Sequence, residues 1–277
     1  MTLPKIPLAG VIGSPIAHSK SPQLHRHWLE TYGIEGFYIP MDVASQDLES
    51  VIRTLPRMGF VGVNVTIPHK EAILSIADLV TDRAILIGAA NTLIFRKDGK
   101  IHADNTDGYG FLENLKTGAP HWSAKDGPAA VLGAGGAARA VIASLLDAGT
   151  PEILLSNRTR VRAEKLKSDF GSRVRVFDWV QAGNMLDHAA LVVNTTSLGM
   201  IGKGEMRVPL DGLRRDTVVT DLVYAPLKTK LLETAESLGC VTVDGLGMLL
   251  HQAVPAFERW FGTRPEVDRA TRAAALR

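Results

Sequence analysis

The chain has 277 residues, 45% of them hydrophobic and 22% charged, enough apolar material for one large core or two modest ones and too much for a disordered chain. Its 31 Lys and Arg against 29 Asp and Glu leave a net charge of +2, too small to argue for a nucleic-acid partner. The lone Cys240 excludes an internal disulfide, no segment reads as a signal peptide, and the most apolar stretch, 129–146, is broken by glycines and Arg139; a soluble cytoplasmic protein, with no membrane partner, is the expectation.

In chain order, β-branched runs at 8–12, 37–43, 61–66 and 92–95 read as strands, while 22–32 and 46–55 carry apolar residues at helical spacing. Asp98-Gly99 marks a hairpin turn between two short extended runs. The Gly-, Pro- and polar-rich stretch 118–128 is the most visible joint. Beyond it the alternation is regular, with strands at 129–132, 152–156, 173–176, 191–194 and 218–222 and helices at 137–148 and 160–170. Repeated βα units with short connections predict a parallel sheet covered on both faces. Residues 240–243 read as a buried strand, with Cys240 structural, and 246–277 as largely helical. No internal repeat or low-complexity tract interrupts this plan. The chain is thus expected to be a two-domain α/β protein, with the placement of its last helices open.

The run Ala130-Val131-Leu132 enters Gly133-Ala134-Gly135-Gly136-Ala137-Ala138-Arg139 and then an amphipathic stretch, the strand–turn–helix setting of the Gly-x-Gly-x-x-Gly/Ala dinucleotide fingerprint. Gly133 serves the tight turn, Gly135 lets the backbone approach a pyrophosphate, and Ala138 lets helix and strand pack closely; a plain tight βα connection is the alternative. An NAD site would place an acidic residue at the end of the next strand. Here that strand ends in Asn157-Arg158-Thr159-Arg160, with Arg162 beyond. Guanidinium forks and a hydroxyl suit a 2′-phosphate, so NADP is expected; a solvated helix start is the alternative, opposed by the helix dipole. Asn194-Thr195-Thr196-Ser197-Leu198-Gly199-Met200 and Asp221-Leu222-Val223-Tyr224-Ala225-Pro226 follow strands whose carboxyl ends open onto a ligand crevice, although turns use the same residues.

The N-terminal half carries polar clusters: Gly13-Ser14-Pro15-Ile16-Ala17-His18-Ser19-Lys20-Ser21-Pro22, Asn64-Val65-Thr66-Ile67-Pro68-His69-Lys70, Ala90-Asn91-Thr92 and Asp104-Asn105-Thr106-Asp107-Gly108. Ser21 before Pro22 can serve as a helix cap. Hydroxyls and amides also suit a polyhydroxylated ligand, because each can donate and accept.

These segments, with the glycine loop, Asn157-Arg158-Thr159 and Asp244-Gly245-Leu246-Gly247-Met248, resemble the signature stretches of the shikimate dehydrogenase family, in family order and over nearly the whole chain. The resemblance implies an N-terminal α/β substrate-binding domain, 1–107, to which helices in 245–277 return, and a Rossmann-type, doubly wound NADP-binding domain, 108–244. It implies NADPH-dependent reduction of 3-dehydroshikimate to shikimate, a small-molecule reaction with no metal, carried out by a monomer or homodimer. Lys70 and Asp107 would be catalytic. Ser19 and Ser21 would hold the substrate carboxylate with Tyr224 near it, and Thr66, Asn91 and Gln252 would line the ring. Gly133, Ala134, Gly135, Gly136, Ala137, Asn157, Arg158, Thr159, Arg162, Thr195, Ser197, Leu222, Gly245 and Met248 would bind the cofactor. The chemistry fits independently: hydride arriving at a carbonyl leaves an alkoxide, which a Lys donor held by a carboxylate can stabilise and protonate. Arg26 stands where many relatives have Asn, His69 varies in the family, and Ser21 in place of Thr favours shikimate over quinate; His18 and His69 are expected to be structural or peripheral. A quinate or aminoshikimate dehydrogenase is the nearer alternative. A non-catalytic NADP-binding regulator and a folate-type dehydrogenase are the remoter ones.

Overall fold

The computed structural model describes residues 6–276. They form two units: residues up to Thr106 with those from Leu250 onward, and residues Asp107–Leu249. The expected joint at 118–128 lies inside the second unit, where it links a helix to the first strand of a sheet. Its glycines and prolines mark a tight surface connection, and turn residues look alike whether they join domains or elements.

The first unit contains β1 (Leu8–Gly13), α1 (Ser21–Thr31), β2 (Phe37–Asp42), α2 (Leu48–Thr54), β3 (Phe60–Val65), the single turn α3 (Ile73–Ile76), β4 (Leu79–Val80), α4 (Asp82–Ile87), β5 (Thr92–Phe95) and β6 (Ile101–Asp104). Its sheet runs β2-β1-β3-β5-β6-β4. β1 pairs parallel with β2 and β3, whereas β5 is antiparallel to both β3 and β6. The expected Asp98-Gly99 hairpin joins β5 to β6. This register sets Asn64 opposite Thr92 and Thr92 opposite Asp104, so three polar residues form one row across adjacent strands. Thr81 caps α4 by accepting the Ala84 N–H, and Gly88 in the left-handed region ends it.

The second unit holds α5 (Asp107–Gly118), β7 (Ala129–Leu132), α6 (Gly136–Asp147), β8 (Ile153–Ser156), α7 (Arg160–Phe170), β9 (Val174–Phe177), a 3₁₀ run over Trp179–His188, β10 (Leu191–Asn194), β11 (Val218–Asp221), α8 (Lys230–Ser237) and β12 (Val241–Val243). Its sheet, β12-β11-β10-β7-β8-β9, is parallel throughout, as the βα alternation predicts. Strands β7, β8, β10 and β11 are buried at every position, which is why they read as continuous apolar runs. The strand expected to be buried at 240–243 is instead the edge: Cys240 is buried, but Val241 is 46% exposed.

The remaining helices are α9 (Leu246–Phe261) and α10 (Arg269–Leu276). From Leu250 onward they belong to the first unit, where Ala256 and Trp260 of α9 pack with Ala9, Val11, Ile16 and Tyr38. The Trp260 indole N–H donates to the Leu93 carbonyl at 3.2 Å. It can reach the backbone because Gly62 lies beneath it: a Cβ there would sit 2.0 Å from the indole nitrogen and 2.3 Å from the Leu93 oxygen. Gly62→Ala should therefore lose about 3 kcal/mol of unfolding free energy through forced displacement of the indole, read by denaturant titration. Stability equal to the parent would show that α9 does not need this close seat.

Candidate active site

The polar row of the first sheet becomes a buried network. Asn64 Nδ2 donates to the Asn91 carbonyl (3.1 Å) and the Thr92 hydroxyl (3.2 Å), and Asn64 Oδ1 accepts the Tyr38 hydroxyl at 2.7 Å. Asn91 Oδ1 accepts the Thr106 backbone N–H (2.9 Å) and the Thr92 hydroxyl (3.0 Å), while its Nδ2 donates to Gln252 Oε1 at 3.1 Å. The structure thus brings together two sequence-predicted substrate residues, Asn91 and Gln252, although 161 positions separate them. Thr66, Lys70, Ser19 and Ser21 lie in the loops and helix start of the same unit, whereas Tyr224 belongs to the second unit. Thr66 follows β3 and donates its N–H to the Ile12 carbonyl, and the half-buried Lys70 is fixed through its backbone carbonyl, which accepts the Ala90 N–H at 2.8 Å. Ser19 Oγ accepts the Ser21 N–H at 3.3 Å, and Ser21, expected as a possible cap, is the first residue of α1.

Two features of this neighbourhood are invisible in sequence spacing. The loop ahead of Thr106 is held by Asp104, which accepts from Thr81 Oγ1, Arg83 and the Asn105 N–H. Burial works to raise the Asp104 carboxyl, but Arg83 and Thr81 hold it below the usual carboxylate range. The chain then passes from Thr106 into Asp107, the first residue of α5. Behind Ser21, the His25 ring stacks on Tyr38 with centroids 3.7 Å apart, and His25 Nδ1 donates to the Ser21 carbonyl at 3.0 Å. The opposite ring nitrogen is buried without a partner. Burial drives the His25 pKa down to about 3 against the small opposing effect of the Ser21 carbonyl, so the ring is neutral. His69, expected from sequence to be structural or peripheral, is buried and bonds the Val43 carbonyl through Nε2 at 2.7 Å, whereas His18 is exposed.

In the second unit, β7 ends at the glycine loop. Gly133 adopts φ +111°, and a Cβ there would lie 2.5 Å from Thr195 Oγ1, so glycine is required by both backbone and space. α6 has no side-chain cap at Gly135, and a Cβ on Gly135 or Gly136 would meet nothing within 4 Å. An open, uncapped helix N-terminus of this kind fits a pyrophosphate. Asn157, after β8, braces the loop: its Oδ1 accepts the Ala134 N–H at 3.1 Å and its Nδ2 donates to the Thr159 carbonyl at 2.9 Å.

Arg158, Thr159 and Arg162 are exposed at the start of α7. Arg160 is already committed to Asp178 (2.5 Å) and Glu164 (2.9 Å), while neither Arg158 nor Arg162 joins an ion pair among the described residues. Thr195 donates its hydroxyl to the Leu132 carbonyl at 2.8 Å, and Ser197 is exposed beyond it. Leu222 donates its N–H to the Asn194 carbonyl at 3.0 Å. Gly245 abuts Leu222, and Met248 packs against the core of this unit. Tyr224 is 36% exposed, and its burial pushes the phenol up. Among the described residues no cluster of His, Cys, Asp and Glu could hold a metal, and no helix is long and apolar enough to cross a membrane.

The neutral His25 has a measurable consequence. Its folded pKa of about 3 lies below the unfolded value of 6.5; the unfolded chain binds the proton first, so stability falls as pH drops below 6.5. For one proton the slope is about 1.4 kcal/mol per pH unit. His25→Phe, which keeps an aromatic ring beside Tyr38, should remove that slope between about pH 6 and pH 4 in urea titrations. An unchanged slope would mean that His25 titrates normally.

The family model described as "Shikimate dehydrogenase substrate binding domain" matches residues 11–93, "Shikimate / quinate 5-dehydrogenase" matches 117–223, and "Shikimate 5'-dehydrogenase C-terminal domain" matches 245–275. The chain is 72% identical to "Shikimate dehydrogenase (NADP(+))" of Roseobacter denitrificans over 276 residues, covering 100% of both. It is 64% identical to the protein of that name from Paracoccus denitrificans, covering 98% of this chain and 96% of the other. Among solved structures, shikimate 5-dehydrogenase from Thermus thermophilus in complex with NADP(H) and shikimate is similar at TM-score 0.86 and 38% identity, covering 98% of each chain. Quinate dehydrogenase from Corynebacterium glutamicum in complex with NAD is similar at TM-score 0.91 and 31% identity, covering 98% of this chain and 99% of the other. With its motifs in order, its two sheets matched and its full length shared with these relatives, the chain belongs to the shikimate dehydrogenase family.

Proposed function

We propose that the protein catalyses the reversible, NADP-dependent reduction of 3-dehydroshikimate to shikimate in the cytoplasm, in the route to aromatic amino acids. The observation that carries the substrate class is the buried row of amides and hydroxyls: Asn64, Thr92, Asn91, Thr106 and Gln252 satisfy one another. A wall preordered in this way binds a ring bearing several hydroxyls without first having to organise itself.

Ser19 and Ser21 are assigned to the substrate carboxylate together with Tyr224, and Thr66, Asn91 and Gln252 to the ring hydroxyls. NADPH, when bound, supplies a hydride to the carbonyl carbon. Lys70 Nζ donates to the carbonyl oxygen and stabilises the negative charge that grows there, and Lys70 and Asp107 are the residues assigned to the proton that completes the hydroxyl. In the oxidative direction the same pair takes that proton back. Gly133 to Ala137 receive the pyrophosphate, while Arg158, Thr159 and Arg162 take the 2′-phosphate. Arg160, held by two carboxylates, steadies the turn instead.

The reading is tested by following nicotinamide absorbance with shikimate and quinate, each with NADP and NAD. Shikimate with NADP should give the highest kcat/KM; a preference for quinate would move the protein to the quinate branch of the family. Lys70→Ala should lower kcat at least about a hundredfold with a much smaller change in KM. Full activity in that variant would remove Lys70 from the mechanism. Arg158→Ala or Arg162→Ala should raise KM for NADP about tenfold or more, as expected for loss of a charge-assisted contact, while Arg160→Ala changes it little. An equal effect from all three would return this cluster to a merely solvated helix start.

A further inference from the structure

Asp221 closes β11 and takes no part in the chemistry described so far. It is 1% exposed, and burial pushes its carboxyl upward against the donors that surround it. Among the described residues no cation pairs with it. A buried carboxylate without a counter-charge is costly unless hydrogen bonds compensate, and here they come from three separate segments. Oδ1 accepts from Asn194 Nδ2 (2.8 Å) and from the Val223 N–H (3.0 Å), and Oδ2 accepts from the Thr229 hydroxyl at 2.6 Å.

Each donor belongs to a different part of the rim at the carboxyl ends of the parallel strands. Asn194 organises the turn after β10: its Oδ1 accepts the Thr196 N–H and hydroxyl, and its Nδ2 also reaches the Leu198 carbonyl. That turn carries Thr195 and Ser197. Val223 lies between Leu222 and Tyr224. Thr229 caps α8 through the Leu232 N–H, so the helix is tied to the same carboxylate. Gly245 completes the set, since a Cβ there would sit 2.7 Å from the Asp221 carbonyl oxygen.

We propose that Asp221 is a positioning residue for the cofactor: one buried carboxylate sets the mutual placement of the 195–198 turn and the 222–224 segment, which carry Thr195, Ser197 and Leu222, residues expected to bind NADP. The inference rests on the NADP reading given above. Hydrogen-bond acceptance from three segments is a task no apolar residue of the same size performs, and losing the acceptor leaves three buried donors unsatisfied.

The test uses the full chain and three variants: Asp221→Ala, Thr229→Val, which keeps shape but loses the hydroxyl, and Thr229→Ser, which keeps the hydroxyl. Binding of NADPH is read by its fluorescence, alongside KM for NADP, kcat and thermal unfolding. The expected result is a Kd for NADPH raised about tenfold in Asp221→Ala and several-fold in Thr229→Val, by loss of charge-assisted bonds. Thr229→Ser should return to the parent value. Should Asp221→Ala fail to fold, the Thr229 pair decides alone. A lowered unfolding temperature with unchanged Kd and KM in the variants would overturn the proposal, since a merely structural residue alters the amount of folded protein and not its affinity. Wild-type protein that binds no NADPH would instead overturn the cofactor reading itself.

Discussion

A buried carboxamide has a fixed number of donors and acceptors to satisfy, and in the first unit Asn91 uses both ends of its own. Its oxygen takes a backbone N–H from Thr106 and a hydroxyl from Thr92, and its nitrogen reaches Gln252 on α9. Each partner comes from a different element, so the amide joins β5, the loop after β6 and a helix from the far end of the chain. The antiparallel pairing of β5 makes this possible by turning Thr92 to face Asn64 and Asp104 at once. With the register shifted by one residue, the polar row would point to the opposite face of the sheet.

The second unit solves a different problem with simpler means. A parallel sheet ends each strand at the same edge, and the groups left there have no ladder partner. Here side chains at the strand ends take up that role. Asn157 bonds across from β8 to the glycine loop, and Thr195 bonds back to Leu132. The glycine loop itself contributes only backbone, and its open helix start is kept free of any capping side chain. Polar side chains at these strand ends therefore brace the neighbouring backbone, leaving the N–H groups at the start of α6 for an anion.

The parallel strands were legible because burial on both faces writes an unbroken apolar run, and the glycine loop was legible because its spacing has one purpose. Family motifs named most of the polar residues. What sequence could not show were the partners. Nothing in the spacing of Tyr38, Asn64 and His25 says that they meet, because contacts between distant positions leave no local period. The same holds for Arg83 and Asp104. The stretch 118–128 misled for a related reason: it has the composition of a linker and the position of a surface turn. The end of α9 was hidden by the small size of Gly62, since the residue that admits Trp260 has no side chain to announce it.

Net charge carried little information, yet the local charge at the start of α7 does. Three arginines within five positions at a helix N-terminus oppose the helix dipole. One of them, Arg160, is neutralised by Asp178 and Glu164, which relieves part of that opposition. Among the described residues Arg158 and Arg162 have no such partners, at the turn braced by Asn157. If all three had been paired, the cluster would read as ordinary surface. Selective pairing keeps two cations available while the third fixes the turn that presents them, and a ligand with an extra phosphate is the chemistry that gains from that arrangement.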